Sequence, residues 1–166
     1  MLKRIAGIAL IAAGLVACGG DDDGTGPDPD DELVGVWVSK GADVATGLAA
    51  EPFNTDSIIA TFNDDNTYTV LQYYGGQGTP ITLSGSYQLG AGAAGTIRSI
   101  QANQTQGSVT SNGIFQVTGS RLKYEIIQTN PALAGVNAPT VAGGFGSTTV
   151  GGVATGDYWV QEYSKR

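Results

Sequence analysis

The sequence contains no histidine and only one cysteine, Cys18, among its 166 residues. Histidine is the commonest general base and metal ligand near neutral pH, so its absence removes every Ser-His and Cys-His catalytic pair. A single cysteine cannot form an intrachain disulfide. We therefore expect a protein that is not an enzyme and that uses no cofactor or metal.

Charged residues are also few, at 14% of the chain, and the acidic ones concentrate near the amino terminus. Seven of the fifteen acidic side chains lie within residues 21–32. From Leu33 onward eight acidic and six basic side chains nearly balance, and no basic patch is present. Binding to nucleic acid through its phosphates is therefore not expected.

The amino terminus has the parts of an export signal. Lys3 and Arg4 precede an apolar run at 5–17. That run is too short for a membrane-spanning helix, which needs about 20 residues. The Leu-Val-Ala-Cys sequence that ends at Cys18 closely resembles the lipobox of bacterial lipoproteins. In that family the signal, here 1–17, is removed, the cysteine thiol receives a diacylglyceryl group, and the new amino terminus is usually acylated.

This resemblance implies a membrane as the partner, held through lipid on Cys18. Stable anchoring takes about two lipid groups, and the lipoprotein modification meets that condition. Gly19 occupies the position where Asp tends to retain enterobacterial lipoproteins in the inner membrane. The resemblance therefore implies a cell-envelope location, and the outer membrane in a Gram-negative host. The alternative is an ordinary secretory signal with an incidental cysteine.

Residues 18–32 are rich in Asp, Gly and Pro and have no hydrophobic pattern. This composition predicts a solvated, extended tether without a contribution to a core. Asp21, Asp23 and Asp28 are interspersed with glycine as in a calcium loop. The fixed glycine, the later bidentate glutamate and the flanking helices of such a loop are missing, so a plain spacer is favoured.

From Leu33 the chain is rich in Thr, Val, Ile, Tyr and Gly and alternates apolar with polar residues between turn signals. These patterns predict an all-β domain at 33–166 without a long helix. Eight strands are expected at 33–40, 57–63, 67–74, 81–89, 96–103, 113–118, 121–129 and 157–164. Consecutive hairpins favour an antiparallel up-and-down meander closed into a barrel, because closure removes exposed edges. A β-sandwich is the alternative.

The segment 130–156 is a long Gly-rich connection, and a loop of that length is either functional or disordered. Its glycines lack the following lysine and helix of a phosphate-binding loop. One hypothesis is a loop that folds over the barrel mouth and is held by Phe145. The other is a mobile or solvent-packed loop.

The first predicted strand contains Gly35 and Trp37 in a Gly-x-Trp sequence, which looks like the opening motif of lipocalins. The turn sequence at 61–68 and the Gly-Ser-Tyr-Gln-Leu sequence at 85–89 resemble bacterial lipocalin-like lipoproteins. In that family the tryptophan closes one barrel end under a basic side chain from a late strand. The resemblance assigns this role here to Arg121, with Lys165 and Arg166 as the other candidates.

The lipocalin resemblance implies a binding protein for a small apolar ligand, because small closed barrels can hold one. Strand alternation predicts nine inward side chains: Ile58, Phe62, Tyr68, Val70, Leu83, Tyr87, Leu122, Tyr124 and Ile126. The candidate ligand-binding residues are Phe62, Tyr68, Tyr87, Tyr124 and Phe145. The same side chains could instead fill the barrel completely.

The alternative function is a structural or interaction module of the envelope with a filled core. Tyr73, Tyr74, Trp159 and Tyr163 are its candidate exposed aromatics. The sequence sets neither a protein partner nor an oligomeric state.

An enzyme would need paired carboxylates from among Glu125, Asp157 and Glu162. Alternation places Glu125 on the outer face, opposite Tyr124 and Ile126, where a solvated charge is expected.

Overall fold

The computed structural model describes residues 32–166. The predicted export signal at 1–17, the predicted lipidation site Cys18 and the predicted tether up to residue 31 lie outside the described residues. Among the residues described, no helix has the length and apolar character needed to cross a membrane.

The described chain forms eleven strands, all in antiparallel pairs. They are β1 (Gly35–Lys40), β2 (Thr55–Phe62), β3 (Thr67–Tyr74), β4 (Ile81–Leu89), β5 (Arg98–Gln104), β6 (Val109–Thr118), β7 (Arg121–Asn130), β8 (Val136–Asn137), β9 (Thr149–Val150), β10 (Val153–Ala154) and β11 (Gln161–Lys165). Strands β1 to β7 and β11 form a closed barrel, whereas β8 to β10 form a small separate sheet.

Each barrel strand pairs with the next one along the chain, and β11 returns to pair with β1. This order confirms the predicted meander of eight strands and its closure, and the sandwich alternative is wrong. The one α-helix of the described residues, α1 (Thr46–Ala49), is a single turn between β1 and β2. Strand β6 begins at Val109, four residues before the predicted start, because the polar residues 110–112 pair with β5 without an apolar alternation.

Barrel closure depends on a short seam between β1 and β11, which pair only at Trp37–Lys165 and Val38–Ser164. The buried Gln161 extends this seam. Its amide nitrogen donates to Ser39 Oγ at 2.7 Å, and its amide oxygen accepts from Ala45 N–H at 3.0 Å. Because these partners flank the end of β1, one glutamine joins the last strand to the segment that leads into α1.

The end of the barrel where β1 begins is filled by a hydrophobic core. Leu33, Trp37, Phe115 and Leu122 are at most 1% exposed. The Trp37 indole N–H donates to the Leu33 carbonyl oxygen at 2.8 Å. Trp37 is therefore buried inside this end of the barrel, and its indole N–H has a hydrogen-bond partner.

The basic side chain over Trp37 is Lys165, whose Nζ lies 5.1 Å from the ring centroid. The assignment of this role to Arg121 is therefore wrong. Arg121 points to the outer wall, where its guanidinium pairs with Asp43 at 3.0 Å and Glu162 at 2.7 Å. Lys165 reaches the indole because it is paired with Trp37 across the seam. Its side chain crosses Gly35, where a Cβ would lie 2.8 Å from Lys165 Cε.

Glu32 belongs to the fold, although its sequence context predicts a solvated tether residue. Its carboxylate accepts from Gly95 N–H at 2.8 Å and lies 3.5 Å from Arg98 Nη1. Arg98 is 2% exposed and also stacks over the Phe115 ring at 5.5 Å. The carboxylate supplies the counter-charge of a buried guanidinium, which explains why both enter the closed end.

The long connection after β7 folds back on the outer wall of the barrel. Glu125 is 0% exposed and accepts hydrogen bonds from Gly146 N–H at 2.7 Å, Thr148 N–H at 3.1 Å and Thr148 Oγ1 at 2.5 Å. The expectation of an outward Glu125 is met, but the expectation of solvation is wrong because this loop covers it. Phe145 lies against Lys123 at 5.0 Å, also on the outer wall.

All eight barrel strands and the core that they enclose lie within the described part of the chain. Residues 32–166 therefore contain a complete barrel with its own hydrophobic core, which are the features of a structural domain.

Candidate ligand cavity

The half of the barrel opposite Trp37 is hollow. A cavity of about 390 Å³, here called the barrel cavity, lies inside this half of the barrel, between its strands and the loops at the end opposite Trp37. Its volume falls within the range of about 300–1,000 Å³ typical of small-molecule sites. The interior is therefore hollow at this end. The sequence alone did not distinguish a hollow interior from a filled one.

The walls of the barrel cavity are mainly apolar and come from several strands. Ile58 of β2, Val70 of β3, Leu83 of β4 and Ile126 of β7 contribute aliphatic side chains. Because side chains alternate along a strand, each of these positions faces inward together with every second residue of its strand. All nine side chains predicted to face inward lie in this cavity or in the core beneath it.

The opening of the barrel cavity is lined by apolar residues from segments outside the barrel strands. Phe53 is 46% exposed, Leu133 45% and Val150 48%, and all three also line the cavity. They form an apolar lip at the entrance. The Gly-rich connection therefore contributes to the mouth through Leu133 and Val150, while Phe145 does not.

One side of the mouth is built by the packing of Trp159 on α1. A Cβ on Gly47 would lie 2.5 Å from the Trp159 ring, so glycine at this position lets the indole rest on the helix backbone. Tyr158 stacks edge-on against Trp159 with ring centroids 5.0 Å apart. Since Trp159 also lines the cavity, this contact sets the shape of the opening.

Aromatic rings form the floor of the barrel cavity. The centroids of Phe62 and Tyr124 are 6.3 Å apart, those of Phe62 and Tyr68 are 6.5 Å apart, and those of Tyr124 and Tyr163 are 6.4 Å apart. A small void of about 40 Å³ lies among these rings. Below it the interior is filled.

The phenol groups of this floor are kept in their neutral form. Burial raises the pKa of Tyr68, and it raises the pKa of Tyr163 above the ordinary value of 10. Burial also raises the pKa of Tyr124 well above its ordinary value, with further contributions from the neighbouring Tyr163 and Tyr68 hydroxyls. The floor therefore presents neutral hydroxyl groups at any physiological pH.

The five candidate ligand-binding residues occupy three different places. Tyr68 and Tyr124 line the barrel cavity, and Phe62 lines the small void beneath it. Tyr87 lies deeper in the core, where its ring stacks on Phe62 at 5.3 Å and its hydroxyl donates to Asn63 O at 2.8 Å. Phe145 lies on the outer wall and takes no part in the cavity.

Several lining residues were missed by the sequence argument. Gln72, Gln104 and Gln128 lie at the rim, two residues after the inward Val70, Ala102 and Ile126. Continued alternation could have found them, but polar side chains at strand ends do not count toward an apolar pattern. Phe53 and Leu133 come from loops, Leu48 from the single turn of α1 and Val136 from the two-residue strand β8, and segments this short carry no periodic signal.

No Asp, Glu, Lys or Arg is among the described residues that line the barrel cavity. The carboxylates considered for catalysis are elsewhere: Glu125 is clamped under the loop, Glu162 pairs with Arg121, and Asp157 lies in a turn before β11. Within 32–166 no group of three or more Asp, Glu, His or Cys is arranged to hold a metal ion.

A second depression of about 480 Å³ is an open groove on the outer wall, between β4 to β6 and the loop residues Pro139, Thr140 and Val141. Its base consists of outward polar side chains such as Gln88, Gln101 and Asn112. It lacks the enclosing apolar walls of a small-molecule site, so the barrel cavity is the better candidate.

Comparisons with known protein families, with curated proteins and with solved structures find no match to this chain. The fold and the cavity by themselves define the class: a small closed antiparallel β-barrel, filled at one end and hollow at the other.

Proposed function

We propose that the protein is a lipid-anchored, lipocalin-like binding protein of the cell envelope, which carries a small apolar ligand in its barrel cavity. The observation that carries this proposal is the cavity of about 390 Å³, open at one barrel end and lined mainly by apolar side chains. A packed interior would bury more apolar surface, so a domain that leaves this volume open forgoes packing contacts. A ligand supplies those contacts.

The position of the anchor supports a mouth that is directed away from the membrane. The lipid is proposed on Cys18, and the described chain begins at Glu32, whose carboxylate is bound at the closed end by Gly95 and Arg98. The thirteen residues between them span at most about 45 Å. The anchor therefore joins the barrel at the end opposite its mouth.

The alternative role as an interaction module receives less support. Of its four candidate aromatics, Tyr163 is 5% exposed and belongs to the core. Tyr73, Tyr74 and Trp159 are only partly exposed. A filled core, the other premise of that role, conflicts with the barrel cavity.

Native mass spectrometry of the protein released from its own membrane tests the proposal. The expected result is a retained small molecule in the parent and its loss in Ala102→Phe, because Ala102 lines the cavity and a phenyl ring fills it. Ala94→Phe places the same ring on an exposed turn and serves as the matched control. Equal ligand content in both variants would place the ligand elsewhere and overturn the proposal.

The anchor is tested on the same material. A peptide mass at Cys18 that includes a diacylglyceryl group supports it, and an unmodified thiol at that residue contradicts it.

A further inference from the structure

Three tyrosine side chains at the floor of the barrel cavity have hydroxyl groups without a hydrogen-bond partner among the described residues. Tyr68, Tyr124 and Tyr163 come from β3, β7 and β11 and all line the cavity. None of their hydroxyls forms a hydrogen bond with another residue in the range 32–166. Deeper in the core, by contrast, Tyr87 donates to Asn63 O at 2.8 Å and Trp37 donates to Leu33 O at 2.8 Å. The buried Trp159 Nε1, on another residue that lines the cavity, also has no hydrogen-bond partner among the described residues.

These hydroxyls are buried from bulk solvent but not from the cavity. Tyr68 is 8% exposed and Tyr163 is 5% exposed, yet neither hydroxyl is among the fully enclosed polar atoms without a partner. Their remaining accessible surface therefore faces the barrel cavity. A buried hydroxyl without a hydrogen bond costs free energy, so these groups favour an occupant that bonds to them.

The chemistry of the site restricts that occupant. The hydroxyls are neutral donors and acceptors because burial raises the pKa of each. The rim is neutral too, since Gln72, Gln104 and Gln128 carry its polar groups. An ionised ligand would lose its hydration in this cavity without gaining a counter-charge.

We infer that the barrel cavity takes an uncharged amphipathic molecule that enters with an alcohol or carbonyl oxygen first. That oxygen binds the hydroxyls of Tyr68, Tyr124 and Tyr163. The apolar body then contacts the aliphatic walls at Ile58, Val70, Leu83 and Ile126. This inference rests on the proposed function, because it requires that the cavity binds ligands at all.

The test uses residues 19–166, which contain the whole barrel and its core, and N-phenyl-1-naphthylamine as an uncharged fluorescent probe. Competition by 1-decanol, 2-decanone, decane and decanoate is compared in the parent and in a triple variant, Tyr68→Phe, Tyr124→Phe and Tyr163→Phe. The measured quantity is the preference for decanol over decane, which is the ratio of their competition constants. This ratio is compared between the parent and the triple variant, because differences in the water solubility of the two compounds then cancel. Tyr73→Phe removes a hydroxyl outside the cavity lining and is the matched control.

The expected result is a preference for decanol and decanone that falls about tenfold in the triple variant, the equivalent of about 1.4 kcal/mol. Decanoate competes more weakly than decanol in the parent. Tyr73→Phe keeps the parent preference. The unliganded triple variant is at least as stable as the parent, since it loses hydroxyls that bond to no described residue.

Other outcomes separate the inference from the function. If the probe binds but the preference is the same in the parent and the triple variant, the inference is overturned and the function stands. If the probe does not bind the parent, or binds Ala102→Phe equally well, both are overturned. Should the triple variant not fold, Tyr124→Phe and Tyr163→Phe singly must each lower the preference for the inference to stand.

Discussion

At the scale of single residues, the closed end shows how a charged side chain can complete a hydrophobic core. Lys165 lies over the Trp37 ring, and Gly35 leaves room for its aliphatic stem. Gly35 also has a φ of 135°, a backbone conformation that other residues rarely adopt. Two features therefore favour glycine at position 35 of the Gly-x-Trp sequence. One is the backbone angle, and the other is the space that the Lys165 side chain of the last strand needs.

Replacing Lys165 by alanine is expected to lower the free energy of unfolding by about 0.5–1 kcal/mol, because an exposed cation–π contact is lost. It also uncovers Trp37. In a Trp159→Phe background Trp37 is the remaining one of the two tryptophans, so its fluorescence reports directly on this site. The emission of Trp37 should shift to the red and become easier to quench.

Arg166→Ala is the control for Lys165→Ala. Arg166 is also basic and exposed, but it holds the barrel through its backbone N–H, which donates to Val36 O at 2.8 Å. A fluorescence change as large in Arg166→Ala as in Lys165→Ala would refute the specific role of Lys165.

At the scale of elements, the connection between β7 and β11 is held to the barrel by a buried carboxylate. Glu125 accepts three hydrogen bonds from Gly146 and Thr148, and Thr148 is itself 0% exposed. The same connection supplies Leu133 and Val150 to the mouth. A clamp on the outer wall therefore helps to position residues at the entrance of the cavity.

Removing this clamp by Glu125→Ala is expected to destabilise the domain by about 1–3 kcal/mol, because buried donors lose their acceptor. Urea denaturation measures the loss. Limited proteolysis should show new cleavage within residues 139–148, because the hydrogen bonds from Gly146 and Thr148 to Glu125 no longer hold this part of the loop against the barrel.

The matched control for the clamp is Glu51→Ala, which removes an exposed carboxylate. We expect it to change the stability by less than about 0.5 kcal/mol. Parent-like urea midpoint and protease resistance in Glu125→Ala would show that the loop is held by other contacts.

At the scale of the whole molecule, the barrel divides into a filled half and a hollow half with phenol groups at the boundary. Burial raises the pKa of Tyr124 and Tyr163, whereas the same groups ionise near 10 in the unfolded chain. The folded state thus retains protons that the unfolded state releases at high pH. The stability contributed by these groups is present below about pH 10 and is lost as the pH rises above it.

The free energy of unfolding should therefore fall between about pH 9 and pH 11 more steeply in the parent than in the triple Tyr→Phe variant. Denaturant titrations at several pH values measure the two slopes. Ultraviolet titration of tyrosinate should also show fewer late-ionising phenols in the triple variant. Identical slopes in the two proteins would contradict ionisation of the floor as the cause.

The parts of the fold that could be predicted are those set by interactions between residues close together in the sequence. Ile81 to Leu89 alternates inward and outward because successive residues of a strand point to opposite faces, which is a local property. The turn at 64–66 is likewise set by nearby groups, since Asp65 accepts from Thr67 N–H at 2.9 Å. Local signals of this kind were enough to predict the eight-stranded meander and its closure. The last strand, predicted at 157–164, begins only at Gln161, because Gly156–Trp159 forms a 3-10 helix that packs Trp159 on α1.

Long-range contacts explain where the prediction stopped. Lys165 and Arg121 are both basic residues near strand ends, and only the pairing across the seam places Lys165 over Trp37. Glu125 is outward by alternation, but its burial depends on a loop more than twenty residues away. Strand periodicity contains no information about what covers the outer wall.

By itself, the sequence determined the closed meander, the inward Tyr68, Tyr87 and Tyr124 and the near-neutral charge of the domain, because these follow from local alternation and composition. Tyr163, which the sequence placed among the exposed aromatics, is buried in the core. Only the tertiary structure decided that the barrel is hollow above its aromatic floor, which residues form the mouth, and that three tyrosine hydroxyls face the cavity. A cavity volume depends on how barrel curvature and distant loops combine around the side chains. That combination exists only after the chain has closed on itself.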